Sequence, residues 1–307
     1  MKSKLYIAVL TLSIGLIACR KEESTVIPDY DKNWLVVEDD PGDASTHARF
    51  EFFKETGIPF YINDTIGIQQ RKDLFGRDYT YYEVLSMNYA LGVEQVGAPP
   101  VVRTFKYCKK ADVAAALAFF KAEIISVLPK DVHVPSILLL ESFTSNAFGN
   151  YAFKAFNTVL IGEASKIPAM DAATKARFKG AVMRALITNA VLSGKYDDLL
   201  NRFYTVSRRF AATRDIYNMG TWQFSQFVTG LPTGTVASLQ TLGFLSSDPR
   251  NTSYTPYTTW IDVSLYLEAS LANTDAQFRQ LYGTYPNIMT KYGIIRQILA
   301  DMKIPVN

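Results

Sequence analysis

The stretch DAATKARFKGAVMRALITNAVL, residues 171–192, decides how the rest of the chain is read. Phe178, Val182, Ala185, Leu186 and Asn189 fall on one side at helical spacing, and Gly194 follows as a stop, so the spacing predicts one long helix. Twenty-two residues without a proline are too many for a strand and match a helix buried along most of one side.

Upstream, the pattern changes. Phe50, Phe53 and Lys54 predict a first helix opening near His47 and closed by Gly57 as a left-handed cap, and Ile58–Ile62 reads as an edge strand or a strand start because Pro59 has no N–H to give a ladder. A helix is expected over Asp112–Leu128, where Val113, Leu117, Phe120, Ile124 and Leu128 recur every three or four residues, Asp112 is the expected N-cap and Pro129 the stop. Ile137–Leu140 and Asn157–Ile161 are short aliphatic runs of strand type. Downstream, Tyr196–Tyr204 leads into an aromatic loop through Trp222 and Phe227, and helices follow over Trp260–Leu271 and Asp275–Met302, the latter with a break or kink at Pro286. Strands in the N-terminal half and helices in the C-terminal half, without regular alternation, make the class α+β. One domain is expected over 47–307.

The amino terminus carries a separate signal. Lys2 and Lys4 precede an apolar run from Leu5 to Ile17, too short to span a bilayer and followed at once by Arg20 and Lys21. Leu16-Ile17-Ala18-Cys19 resembles the bacterial lipobox, which implies cleavage after residue 18, acylation of Cys19 and a membrane contact through the N-terminal lipid. A plain signal peptide with a chance cysteine is the alternative. Residues 19–46, with Pro28, Pro41, Gly42 and the acidic patch Glu38-Asp39-Asp40, read as a tether. Lys21-Glu22-Glu23 is similar to the address that sends Bacteroidetes lipoproteins to the outer face of the outer membrane, and reads equally as solvated charge.

Composition narrows the partners. Removing residues 1–18 takes away Lys2 and Lys4 and no acid, so the excess of three basic charges falls to one. No basic stripe is left to attract a phosphate backbone, and nucleic acid is not an expected partner. With Cys19 acylated, Cys108 is the remaining thiol; an intrachain disulfide and a cysteine-rich metal cluster are both excluded.

The order of features resembles the zinc metallopeptidase lipoproteins of Bacteroidetes associated with substrate import. The residues that carry it are Glu55-Thr56-Gly57-Ile58-Pro59 through Asn63-Asp64-Thr65, the helix at 171–192, Thr241-Leu242-Gly243-Phe244-Leu245, and a last helix with Pro286, Asn287 and Lys291. The resemblance implies a zincin-like domain and an association with TonB-dependent nutrient import. It also implies an H-E-x-x-H helix, whose histidines hold zinc and whose glutamate activates water. On this chain the family's pattern falls on Ala185 and Asn189 for the histidines and Leu186 for the base, and Thr258-Thr259-Trp260 stands where the family has a Glu-Asp-Phe-type motif. None of the three helix positions has the donor chemistry a hydrolytic zinc needs. No metal, catalytic residue or cofactor is therefore expected.

Other chemistry is thin. His47 and His133 are the only histidines, and each reads as a satisfied or solvent-facing residue. Glu141 and Glu163 follow the two aliphatic runs and offer a paired-carboxylate hydrolase of glycans or peptides as the alternative function. The favoured expectation is an outer-membrane accessory protein that binds a glycan or peptide, or docks on an import complex. Trp222, Phe227, Tyr254, Tyr257 and Trp260 are its candidate contact residues, because amphipathic rings in loops suit sugar faces and peptide side chains.

Overall fold

The computed structural model describes residues 33–87, 105–145 and 147–305. The expected export signal, Cys19 and most of the expected tether lie outside the described residues. A compact unit spans Leu35–Asn307, so ordered packing begins about twelve residues earlier than the expected boundary at 47. The reason is Val37, which is buried against Tyr61 and Leu138 in an apolar cluster. His47 is also tied to the preceding segment, its Nδ1 lying 2.7 Å from Asp39 Oδ1.

Helix α1 (Ala44–Thr56) is capped by the Asp43 carboxylate at Ser45 N–H and ends at Gly57, whose φ of 73° only glycine adopts freely. Strand β1 (Phe60–Tyr61) follows, then a hairpin of β2 (Thr65–Lys72) and β3 (Asp78–Val84). Strand β4 (Phe105–Tyr107) leads into a 3-10 turn, Lys110–Asp112, and helix α2 (Val113–Phe119), which widens into a π-turn at Phe120–Ile125. Asp112 is not the cap it was expected to be: it already has helical φ and ψ, and its side chain caps nothing.

Strands β5 (Ile137–Phe143), β6 (Ala152–Lys154) and β7 (Val159–Ile161) complete the sheet. After them come the helices α3 (Ala172–Val191), α4 (Asp197–Arg208), the single turn α5 (Phe224–Phe227), α6 (Thr259–Ala272) and α7 (Asp275–Tyr282). The last, α8 (Pro286–Asp301), starts with Pro286 in its first turn, so the expected break falls where proline needs no N–H. The chain is mixed α/β, with a small sheet in its N-terminal half and helices in its C-terminal half.

In the main sheet the order is β1-β5-β7-β6, with β1, β5 and β7 parallel, β6 antiparallel to β7, and β4 antiparallel to the far part of β5. Both faces are covered. Ile137 and Leu139 of β5 join one apolar cluster with Phe178 and Val182 of α3, while Leu138 and Leu140 join another with Val37, Phe153 and Ile261. That is why the strand reads as an unbroken aliphatic run instead of an alternating one.

Helices α3 and α6 meet face to face where α3 has Gly180. A Cβ there would lie 2.8 Å from the Glu268 carbonyl oxygen and 2.9 Å from the Ala272 Cβ. A third, smaller cluster, Phe210, Ile216, Tyr217, Met219, Phe224, Leu242 and Phe244, supports the loops between α4 and α6.

Candidate ligand-binding surface

The loops above this third cluster are laced to each other by backbone. Asn218 N–H donates to Pro256 O, Thr255 N–H to Met219 O and Thr221 N–H to Ser253 O, all within 3.0 Å. Thr255, wholly buried, adds its hydroxyl to Ile216 O at 2.7 Å and accepts from Met219 N–H at 2.9 Å. A β-branched residue whose hydroxyl replaces ladder bonds suits this position, since the two segments pair only as an isolated bridge at Gly220–Tyr254.

Asp248 organises the second loop. Its carboxylate accepts from Arg250 N–H at 2.9 Å, Arg250 Nε at 2.8 Å, Arg250 Nη2 at 3.0 Å and Tyr257 N–H at 2.8 Å. Burial alone would raise this carboxyl, but the guanidinium and the two backbone N–H groups together hold it below the ordinary carboxylate range. Arg250, fixed in this way, stacks on Tyr257 with its guanidinium carbon 4.6 Å from the ring centre.

Three of the five expected aromatics share this surface. Trp222 meets Tyr254 edge to face at 5.0 Å, and Tyr254 meets Tyr257 in the same way at 5.4 Å. The indole lies over Gly220, where a Cβ would come within 2.5 Å of its Cη2 and Cζ2. Glycine is what lets the ring lie down, and Trp222 keeps 61% of its surface open. Neither the Tyr254 nor the Tyr257 hydroxyl bonds to a described residue, so both rings have a polar edge to offer.

The other two belong elsewhere. Phe227 packs against the third cluster with Arg214 above its ring, and Trp260 packs against Phe148 at 5.4 Å beside the second cluster. Asp248 and Arg250 are the functional residues that sequence reading missed. An Asp-x-Arg in a loop is too common to be a signal without the contacts around it.

The helix positions aligned with the zinc motif do not converge on a cleft. Ala185 and Leu186 are buried in the main core, and Asn189 faces solvent. Beside them, the Arg184 guanidinium is buried: its Nε lies 2.7 Å from Glu268 Oε2, its Nη2 donates to Ala152 O at 2.7 Å, and it sits over the Phe148 ring. Alanine and leucine carry no donor atom, and both are packed in the core. These residues do not fit zinc. Among the described residues no three His, Cys, Asp or Glu side chains group to hold a metal; His133 is exposed.

Glu141 and Glu163 do come to one corner. They lie two residues beyond the paired Leu139 and Ile161 of adjacent parallel strands, Glu141 still within β5 and Glu163 just past β7. Glu163 accepts from Asn150 Nδ2 at 2.7 Å and pairs with Lys166, and Glu141 accepts from Ser165 Oγ at 2.7 Å.

A further polar group was not visible in sequence. Asp262 and Lys291, both fully buried, are 2.7 Å apart, and Tyr217 donates to the same carboxylate oxygen at 2.7 Å. Phe203, Phe244 and Tyr266 ring the ammonium. Desolvation pushes Asp262 up and Lys291 down, each opposed by the other's charge. No protein-family model, no curated protein and no solved structure matches this chain.

Proposed function

We propose that this chain is a non-catalytic accessory lipoprotein of the outer membrane that binds a glycan or peptide on the Trp222–Tyr254–Tyr257 surface. The scaffold in this reading is zincin-like with its zinc chemistry lost, and the partner is a TonB-dependent import complex. The observation that carries the binding role is the indole of Trp222, laid over Gly220, 61% exposed and packed at right angles against Tyr254. A flat apolar face backed by a rigid loop stacks on the C–H face of a sugar or on a peptide side chain. Arg250 and two free tyrosine hydroxyls beside it supply directional donors. The buried Arg184 beside Ala185 and Leu186 supports the loss of zinc chemistry, since both alignment positions are filled by core packing.

The test is a glycan and peptide array followed by calorimetry on the best binder. Trp222→Ala and Tyr254→Ala should each weaken binding by about tenfold, which corresponds to about 1.4 kcal/mol, with the melting temperature nearly unchanged for the exposed Trp222. Full affinity in both variants would sink the reading. The shared corner of Glu141 and Glu163 favours a second one, a carboxylate hydrolase. Glycan or peptide cleavage that disappears in both Glu141→Gln and Glu163→Gln would replace the first reading with this one.

A further inference from the structure

A cleft of about 650 Å³ opens where the N-terminal part of α3, the α6–α7 junction and the last described residues meet. Its lining is divided chemically. Val127, Met183 and Ile304 give it an apolar wall, with Met183 and Ile304 themselves buried. Ser270, 1% exposed, also lines it, and its hydroxyl has no hydrogen-bond partner. A buried hydroxyl without a partner costs free energy that an incoming acceptor removes.

The charges are unbalanced. Glu123 on the lining is already paired with Lys179 at 3.1 Å, whereas Lys175 is half-buried with no ion-pair partner among the described residues, and Arg177, exposed and near the Asp171 carboxylate, adds a second cation. A ligand that suits all three features has an anion for Lys175 and Arg177, an apolar group for the Met183–Ile304 wall, and a carbonyl for Ser270. We infer that this cleft binds a short peptide with a free C-terminal carboxylate and an aliphatic last residue. The size fits, because pockets of about 300 to 1,000 Å³ hold ligands of this class. The cleft is built from other residues than the aromatic surface, so the two sites stand or fall separately.

Calorimetry with the tripeptide Ala-Leu-Leu, as the free acid and as the C-terminal amide, tests the inference on the full chain. The acid should bind saturably and the amide at least tenfold more weakly. Lys175→Gln should bring the acid down to the level of the amide, while Ser270→Ala should weaken both. Ala176→Trp, on a half-buried lining position, should abolish binding of both, and Leu74→Ser, in the exposed turn of the β2–β3 hairpin, should change neither. Absence of saturable binding by the acid, or equal affinity for acid and amide, overturns the assignment. If Ala176→Trp does not fold, the acid-to-amide ratio in wild type and in Lys175→Gln still decides.

Discussion

The Asp262–Lys291 pair is where a single side chain has most leverage. Lys291→Met leaves a buried carboxylate whose main countercharge is gone, and such breaks cost about 3–5 kcal/mol. Replacing both partners, as in Lys291→Met with Asp262→Leu, should recover much of that loss, because neither charge then has to be desolvated. Urea unfolding of the single and double variants measures the difference, and a double variant no more stable than the single would show that Tyr217 depends on the carboxylate more than the pair does. Cys108 gives a pH prediction. Burial pushes its thiol up to about 12, with Asp112 and Glu141 adding to the shift. A thiol raised in the fold keeps its contribution to stability below the unfolded value of 9.0, and loses it as pH rises from there toward about 12. At pH 8 a thiol reagent should label the native protein far more slowly than the urea-unfolded chain.

Among the elements, α3 and α6 depend on Gly180. Alanine ordinarily improves a helix interior by about 1 kcal/mol, but here its Cβ meets the Glu268 carbonyl, so Gly180→Ala should be net destabilising by about 1–3 kcal/mol in denaturant unfolding. The β2–β3 hairpin lies at the other extreme. Leu74 and Phe75 in its turn are 99% and 81% exposed, so Leu74→Ser with Phe75→Ser removes nothing from the core and should leave the melting temperature within about a degree. Helices with strong periodicity or a terminal signal, such as α1 with Gly57, α3 with its apolar spacing and α8 with Pro286, were legible because each signal is local. The hairpin was not, because Gln69, Gln70, Arg71 and Lys72 give no apolar alternation; backbone pairing and polar cross-strand contacts, Gln70 with Thr80, Arg71 over the Tyr81 ring and Lys72 with Asp78, hold them as strand. The aromatic surface was legible in part for a related reason. Ring type marks Trp222, Tyr254 and Tyr257, but which rings share a face depends on Gly220 and Asp248, and Trp260 was drawn into another cluster by Phe148.

At the level of the whole molecule, the main sheet joins distant parts of the chain. Phe60 pairs with Ile137, and Leu138 pairs with both Tyr61 and Leu160. The parallel arrangement is what requires these long crossovers. It has a consequence in time. As the polypeptide is made, β1 exists well before β5, its neighbour in the sheet, and has nothing to zip onto until β5 arrives. Chain closure of this length must precede any reward from the pairing, so stopped-flow refolding should run in milliseconds to seconds, slower than for a helical bundle of comparable stability. Leu138→Ala, at the strand that joins the two halves, should slow that step as well as destabilise the product. The order of synthesis and the order of assembly thus run differently here: the middle of the chain commits first, and its beginning waits.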